Sequence, residues 1–542
     1  MNIPFFALYF KHRKIRKIRR IIRGYQVLKS SGQLGLVRRV KREFGDTRID
    51  EVTTAATDFI FGAGKEEAEL ITRQFLLLRN TGIALHKNLL YSIGSGNSRI
   101  VCPLPKAFRL VLIKNGFNVS QWRSSGIWAC YIILLWCFGI VTVVKHFCNG
   151  LIRIASAGLV STERYAYFTG LQSNHLPRPG KDGKSYDTVT WYSNWKGAGD
   201  NLAVFYHQCK GTPVCRLKSK KVSFRKEPFP AIRNVADLSW FFMWSTGAVI
   251  LSAFDICRGR WWNAFLLAET TRAAVTRLAI PSELAVDYLF ENSDSVFRPV
   301  WTYEAERKGS RIISYFYSSF EDFKLPGGYE PNSTYWQAMN WPLYAVWDHY
   351  QEQLIERNIN KNANVIVVGP IWLSSSLVDL PEIPDSAVAV FDTPRLKMSS
   401  HFGFSTIAEL YGNSAVPVTF IRDIASALEK YDGIIAHKGK RNRGLENLHK
   451  GYVRSIMKLV HQNRLLSIDA DTSPIVVIEK CKAVISMPFT STAILGRELG
   501  KPSIYYDPTG LIQKDDRGAH GILVISNESE LQDWIGKVFN PV

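Results

Sequence analysis

Ala483-Val-Ile-Ser-Met-Pro-Phe-Thr-Ser-Thr-Ala-Ile-Leu-Gly-Arg-Glu-Leu-Gly-Lys-Pro-Ser-Ile-Tyr-Tyr-Asp507 reads as strand, hydroxyl-rich turn, helix, Gly-Lys-Pro stop and second strand. That alternation is the signature of an α/β protein with a parallel sheet. Ala483 to Ser486 is a short apolar strand closed by Pro488. Thr490, Ser491 and Thr492 then stand where a helix N-terminus exposes unpaired N–H groups, a layout that suits a phosphate. An ordinary helix cap would look the same.

The pattern extends in both directions. Upstream lie Val365–Pro370 and Ala387–Asp392 as strands, a helix over Phe420–Tyr431, a strand at Gly433–Ala436, a helix over Leu448–Gln462, a strand at Leu465–Ser467 and a helix over Ser473–Cys481. Downstream come a strand over Pro502–Tyr506 and a last helix over Glu528–Val538. A first pattern precedes these. It has strand-like segments at Tyr165–Phe168, Thr188–Trp191, Leu202–Tyr206 and Ile312–Tyr317, helical stretches over Asn263–Leu278 and Ser282–Phe290, and a connecting helix over Trp336–Asn358. A chain of 542 residues suits two to four domains. The boundaries read as a basic region 1–123, an apolar segment 124–150, a first α/β domain 151–335, a connector 336–360 and a second α/β domain 361–542.

Pro488-Phe489-Thr490-Ser491, with Glu498-Leu-Gly-Lys-Pro502 and Tyr505-Tyr506-Asp507, resembles the bacterial surface-polysaccharide biosynthesis proteins named for their PFTS motif. The resemblance extends through Arg298–Gly309 and Ile312–Ser319 to Tyr186–Tyr192, and so spans most of residues 160–530. It implies two Rossmann-like domains of GT-B type and a glycosyltransferase. The donor would be a UDP- or CMP-sugar, the acceptor a glycan or lipid-linked glycan. The nucleotide sugar is then a substrate, and no cofactor or metal is called for. Other enzymes on that scaffold stay open, namely a CDP-alcohol polyol-phosphate polymerase or a sugar-nucleotide epimerase, as does a non-catalytic assembly protein.

Open parallel sheets bind ligands at the carboxyl ends of their strands. His437-Lys438-Gly439-Lys440-Arg441 follows the strand Gly433–Ala436 directly, and its cations suit a nucleotide phosphate. A solvated basic loop is the plainer alternative. The expected donor-phosphate set is therefore His437, Lys438, Lys440, Arg441, Thr490, Ser491 and Thr492. Glu498, two turns beyond Ser491, and Asp507, at the next strand end, are candidates for the donor ribose and sugar. For the base that deprotonates an acceptor hydroxyl, His175 and Glu304 are the candidates. Asp469-Ala-Asp471 matches a metal-binding DxD, but Asp471 reads better as a helix cap, and Gly496–Lys501 falls one residue short of a P-loop.

Lys and Arg number 68 against 47 Asp and Glu, a formal charge of +21. Thirteen of those cations lie in the first 42 residues, with no acidic residue among them. Ile15, Ile18, Ile22 and Tyr25 recur there at helical spacing among arginines and lysines, as in a helix lying on an anionic membrane surface. No zinc-finger, helix-turn-helix or RNA-binding signature follows, which disfavours nucleic acid. Ile127 to Val144 is an uncharged run of spanning length. A single span would separate the basic N-terminal region from the nucleotide site, although both belong in the cytoplasm. The conflict favours monotopic insertion or a buried core helix. Leu238–Ile256 is a second apolar region, interrupted by Ser239, Ser245 and Asp255. The expected location is the cytoplasmic face of the bacterial inner membrane. The eight cysteines show no CxxC pairing and suit a reducing compartment, and Cys209 and Cys215 read as ordinary thiols.

Overall fold

The computed structural model describes residues 3–33, 35–49, 52, 62, 64–156, 163–177, 187–217, 219–293, 295–319, 324–325, 328–329, 334–371, 380–393, 415–439, 444, 447–470 and 472–540. The chain divides into two compact units. The first contains residues 1–170, 199–314 and 333–343; the second contains 171–198, 315–332 and 344–542.

The first unit begins with helices α1 (Ile3–Ser30), α2 (Leu36–Asp46), α3 (Lys65–Asn80), α4 (Ile83–Gly94), α5 (Lys106–Lys114) and α6 (Gln121–Ala155). The face of α1 that packs on α4 is a neighbouring one: Ile21 and Leu28 are buried and Gly24 lies against the backbone of Leu90, whereas Ile18, Ile22 and Tyr25 of the stripe expected to face lipid are half-buried. Arg16, Lys17, Arg19 and Arg23 remain exposed.

The sheet of this unit is built on β1 (Tyr165–Thr169), which pairs in parallel with β2 (Val204–His207) on one side and β5 (Asp287–Glu291) on the other. The antiparallel edge strand β3 (Cys215–Leu217) joins β4 (Lys220–Phe224), and β6 (Arg311–Tyr315) follows β5, in the order β6-β5-β1-β2-β4-β3. Every residue of β1 and β5 is buried, as expected of central parallel strands covered on both faces.

Three expectations fail in and around this sheet. Thr188–Trp191 is not a strand. It opens the helix α7 (Thr188–Asn194), because Asp187 caps it through Thr190 N at 2.8 Å and Thr190 Oγ1 at 2.6 Å. Ser282–Phe290 is not a helix, but a single 3-10 turn at Pro281–Glu283 followed by β5. The helices α8 (Val235–Cys257) and α9 (Trp262–Leu278) supply the cover instead, and α9 is buried almost throughout. Nor is Ile127–Val144 a buried core helix. In α6 only the stripe Ser124, Trp128, Ile132, Gly139, Thr142, His146 and Gly150 is buried, and Ile127, Leu134, Phe138, Val141 and Val144 are exposed.

The short helix α10 (Trp301–Arg307) completes the first unit's cover. In the second unit a minimal hairpin pairs β7 (Lys324–Leu325) with β8 (Gly328–Tyr329). The expected connecting helix Trp336–Asn358 is broken by β9 (Leu343–Val346), and Asp348 then caps a shorter α11 (His349–Asn358) through Gln351 N at 3.1 Å. Val365–Val367 is β10, paired with β9 rather than opening the second sheet.

That sheet is formed by β11 (Ala387–Phe391), β12 (Ile434–Lys438), β13 (Leu465–Ile468), β14 (Ala483–Ser486), β15 (Ser503–Tyr506) and β16 (Leu523–Ile525), in the order β13-β12-β11-β14-β15-β16. All its pairings are parallel. The helices between are α12 (Ala415–Glu429), α13 (Lys450–His461), α14 (Pro474–Lys480) and α15 (Thr492–Glu498), with α16 (Glu528–Phe539) last. Phe420, Ile424 and Leu428 of α12 and Leu531 and Ile535 of α16 close over Val388, Ile435, Ile485 and Ile504 as one core. Gly496 lets α15 press on the sheet, since a Cβ there would lie 2.3 Å from Ser503 Oγ and 2.6 Å from Val484 Cγ2. The glycine of the P-loop look-alike therefore has a packing role.

Candidate functional site

The second sheet starts at β11, winds outward through β12 to β13, and then returns to the other side of β11 for β14, β15 and β16. Its winding reverses between β11 and β14, where a doubly wound sheet opens a crevice outside the strand ends. The sequence places polar residues at that edge: Asp392 after β11, His437 and Lys438 ending β12, and Ser486 through Thr492 after β14.

Three of the groups at β11 and β12 form a buried cluster. His437 Nε2 donates to Asp392 Oδ1 at 3.1 Å, and Tyr452 on α13 donates its hydroxyl to Asp392 Oδ2 at 2.6 Å. Tyr452 O also stands 3.4 Å from His437 Nε2. Burial, and then the Asp392 carboxylate, push the Tyr452 phenol well above its ordinary pKa, so it remains a proton donor at neutral pH. The next residue, Lys438, is buried and turns its ammonium to Ala470 O at 2.9 Å and Gly439 O at 3.4 Å. Beyond Ala470, the buried hydroxyls of Thr472 and Ser473 have no hydrogen-bond partner among the described residues. The helix α14 starts at Pro474 with Ser473 as its N-cap residue, while Asp471, expected to cap it, lies outside the described residues.

The turn after β14 is fixed from within. Thr490 Oγ1 donates to Met487 O at 2.9 Å, the Ser486 and Thr492 hydroxyls are 2.8 Å apart, and Tyr505 donates to Thr490 O at 2.8 Å. Phe489 packs edge-on to Tyr505, and the Pro488–Phe489 peptide is cis. Ser491 Oγ accepts from Ser319 N at 3.2 Å and Ser319 Oγ at 2.9 Å. Two segments far apart in sequence, Ile312–Ser319 and Pro488–Ser491, thus meet at one pair of hydroxyls.

The structure places His437 and Lys438 at the end of β12 and Thr490, Ser491 and Thr492 in the turn after β14, on the two strands that flank β11. Lys440 and Arg441 lie outside the described residues. Glu498 stands at the far end of α15, exposed, against the guanidinium of its neighbour Arg497 at 3.0 Å. Asp507 is fully buried and closes its own loop, accepting from Thr509 N and Ile512 N, both at 2.9 Å, and from Thr509 Oγ1 at 2.6 Å. Glu304 lies in the first unit between Arg277 at 2.8 Å and Arg307 at 2.9 Å. His175 is buried in a 3-10 turn, where its Nδ1 accepts from Gln172 N at 3.4 Å. Burial lowers its pKa to about 4 and holds the ring neutral. Sequence reasoning missed Asp392 and Tyr452. The terminal position of Asp392 on an apolar strand was a usable signal, whereas Tyr452 reaches the site only through the placement of α13. Among the described residues, no three His, Cys, Asp or Glu side chains converge as a metal site would require.

Fold and site together define a doubly wound α/β protein with polar residues at the strand ends beside the switch of its C-terminal sheet. The profile of the polysaccharide biosynthesis PFTS motif proteins matches residues 241–535, more than half of the chain, and the chain belongs to that family. No curated protein matches the sequence significantly. Among solved structures it is similar to the wall teichoic acid polymerase TagF, at 10% identity and a TM-score of 0.37, over 76% of this chain and 88% of that one. It is similar also to the lipopolysaccharide outer core galactosyltransferase WaaB, at 12% identity and 0.34, over 69% and 90%. A third is the UDP-GlcNAc 2-epimerase of Methanocaldococcus jannaschii in complex with UDP-GlcNAc and UDP, at 8% identity and 0.34, over 70% and 93%. Identities and scores at this level carry no argument about activity.

Proposed function

We propose that the protein is a GT-B-type glycosyltransferase that moves a sugar from a nucleotide-sugar donor to a glycan or lipid-linked glycan during bacterial surface-polysaccharide assembly, at the cytoplasmic face of the inner membrane. The observation that supports this most is the position of Lys438 and the Ser486–Thr492 turn, on strands flanking β11, at the winding switch of a parallel sheet. In this reading the donor's phosphate or diphosphate lies across that edge. Lys438, with Lys440 and Arg441 of the following loop, neutralises the phosphate charge that grows as the sugar leaves, and the Thr490, Ser491 and Thr492 hydroxyls donate to the phosphate oxygens. Ser491 would exchange its contact with Ser319 for one with the ligand. The Tyr452–Asp392–His437 cluster fixes the end of β12 and so aims Lys438. His175 does not serve as the base in this reading, because its Nδ1 takes the Gln172 N–H, Nε2 then carries the ring proton, and burial lowers its pKa to about 4.

A thermal-shift screen against CMP, CDP, UDP, GDP and their sugar or alcohol conjugates tests the reading. At a hundredfold excess over Kd, a bound nucleotide stabilises by about 2.7 kcal/mol. One nucleotide class is expected to raise the melting temperature of the wild type and not of the Lys438→Ala/Ser491→Ala variant, whose ligand-free melting is measured alongside. A response to a CDP-alcohol alone would assign a polyol-phosphate polymerase. No response to any of them would leave an assembly role.

A further inference from the structure

We propose that α6 and α8 form one face that docks this protein in the plane of an anionic bilayer without crossing it. The inference deepens the membrane location proposed above by naming the surface and the partner.

The two helices lie antiparallel. Phe147 of α6 meets Phe242 of α8 with ring centroids 5.8 Å apart, Trp136 Nε1 donates to Ser252 Oγ at 2.9 Å, and a Cβ on Gly150 would lie 2.9 Å from Leu238 Cδ1. Both rest on the buried α9, through Trp128 against Phe265, a Gly139–Leu267 approach and the hydrogen bond from Asn263 to Asp255. The polar residues Ser245, Ser252 and Asp255, which interrupt the hydropathy of α8, are buried on this inner side. What remains outside is apolar. Leu134, Val141 and Ile152 on α6 and Met243, Ile250 and Phe254 on α8 are each more than half exposed. Soluble proteins rarely leave so much contiguous apolar surface to water.

Length and hydropathy alone would let either helix cross a membrane. The fold does not. The segment between them supplies β1, β2 and β4, and β1 pairs with β5, which follows α8. The segment before α6 is tied to the same unit, since Gln74 donates to Ala338 O at 2.6 Å and Arg79 pairs with Glu269 at 3.5 Å. The described segments of the first unit that flank the two helices therefore lie on one side of them. The remaining way to bury their outer faces in lipid is to lie at its surface, as interfacial helices do.

Charge selects lipid over a second copy of the chain. At the start of α6, Trp122 is 86% exposed and Arg123 is exposed. At the end of α8, Arg258 is exposed and stacks over Phe254 at 4.0 Å. An exposed tryptophan and arginines at the rim of an apolar face suit the headgroup layer. The two helices carry only two acidic residues: Asp255 is buried, and Asp237 is engaged by Arg233 at 3.3 Å and Asn234 at 2.8 Å. Self-association through this face would leave Arg123 and Arg258 without an anion, whereas lipid phosphate supplies one.

The test is flotation of the full chain with vesicles of phosphatidylcholine, with and without phosphatidylglycerol. Leu134→Glu/Ile250→Glu is expected to lower the bound fraction at least tenfold, and Arg123→Ser/Arg258→Ser to remove the preference for the anionic vesicles. Leu523→Glu, a charge at an exposed apolar residue of the other unit, is expected to bind as wild type. Protease added outside the vesicles should cut sites before α6 and sites between α6 and α8 at similar rates. Unchanged flotation of the Glu variants, protection of either segment, or loss of a dimer with flotation intact would each overturn the proposal. The nucleotide thermal shift, measured on the same variants, reports separately on the glycosyltransferase reading.

Discussion

At the scale of single residues, the arrangement around Asp392 shows how an unpaired polar group would be costly. Its carboxylate is wholly buried, yet both oxygens are met, one by His437 and the other by Tyr452. Removing a donor leaves one oxygen unsatisfied, while removing the acid strands two buried donors. Tyr452→Phe is therefore expected to cost about 1 kcal/mol and Asp392→Ala about 1–3 kcal/mol, in that order, by equilibrium denaturation. Because the cluster ends where Lys438 begins, both variants should also weaken the nucleotide-induced thermal shift. Asp392→Ala having no effect on either readout would refute the positioning role.

At the scale of elements, close helix approach sets a sign that propensity alone would get wrong. Ala normally gains about 1 kcal/mol over Gly inside a helix. A Cβ on Gly24 would lie 2.0 Å from Leu90 O, however, and one on Gly94 would lie 1.9 Å from Arg20 O. Backbone cannot yield as a side-chain tip can, so Gly24→Ala and Gly94→Ala should each destabilise the α1–α4 pair, by about 1–3 kcal/mol. Faster proteolysis of α1 would report it, and unchanged proteolysis would contradict the packing. Capping decided other elements. Thr188–Trp191 carries the β-branched and aromatic residues of a strand, but the Asp187 carboxylate pairs with Thr190 and commits the segment to helix. Asp348 likewise starts α11 thirteen residues after the expected connector began.

At the scale of the whole molecule, buried histidines make stability depend on pH, His175 and His207 in the same way as His146 of α6. Burial lowers His175 and His207 to a pKa of about 4, against 6.5 when solvated. Their folded pKa values lie below the unfolded ones, so the unfolded chain takes up more protons between those limits. Above pH 6.5 neither opposes folding; as pH falls toward 4 both do, and below that the penalty is constant. The melting temperature should decline across this window, and His175→Gln should flatten the decline. Asp348 adds a second acid-sensitive contact. Burial raises its pKa, but the His520 hydrogen bond and charge outweigh that and hold it low, so its contribution is lost only as pH falls below the usual carboxylate range.

The sequence by itself determined that the C-terminal half is a parallel α/β unit, because strand runs such as Ala387–Phe391 and Ala483–Ser486 alternate with helical periodicity and end in recognisable turns. It also determined that His437, Lys438 and Thr490–Thr492 stand at strand ends, since that follows from local order along the chain. Tertiary structure alone decided strand order, and so the switch beside Asp392. It alone brought Tyr452 to that carboxylate, Ser319 to Ser491, and Arg277 to Glu304. It alone decided which face of α6 is buried. Each of these depends on partners far apart in sequence, and hydropathy read along one segment contains no term for what packs against it.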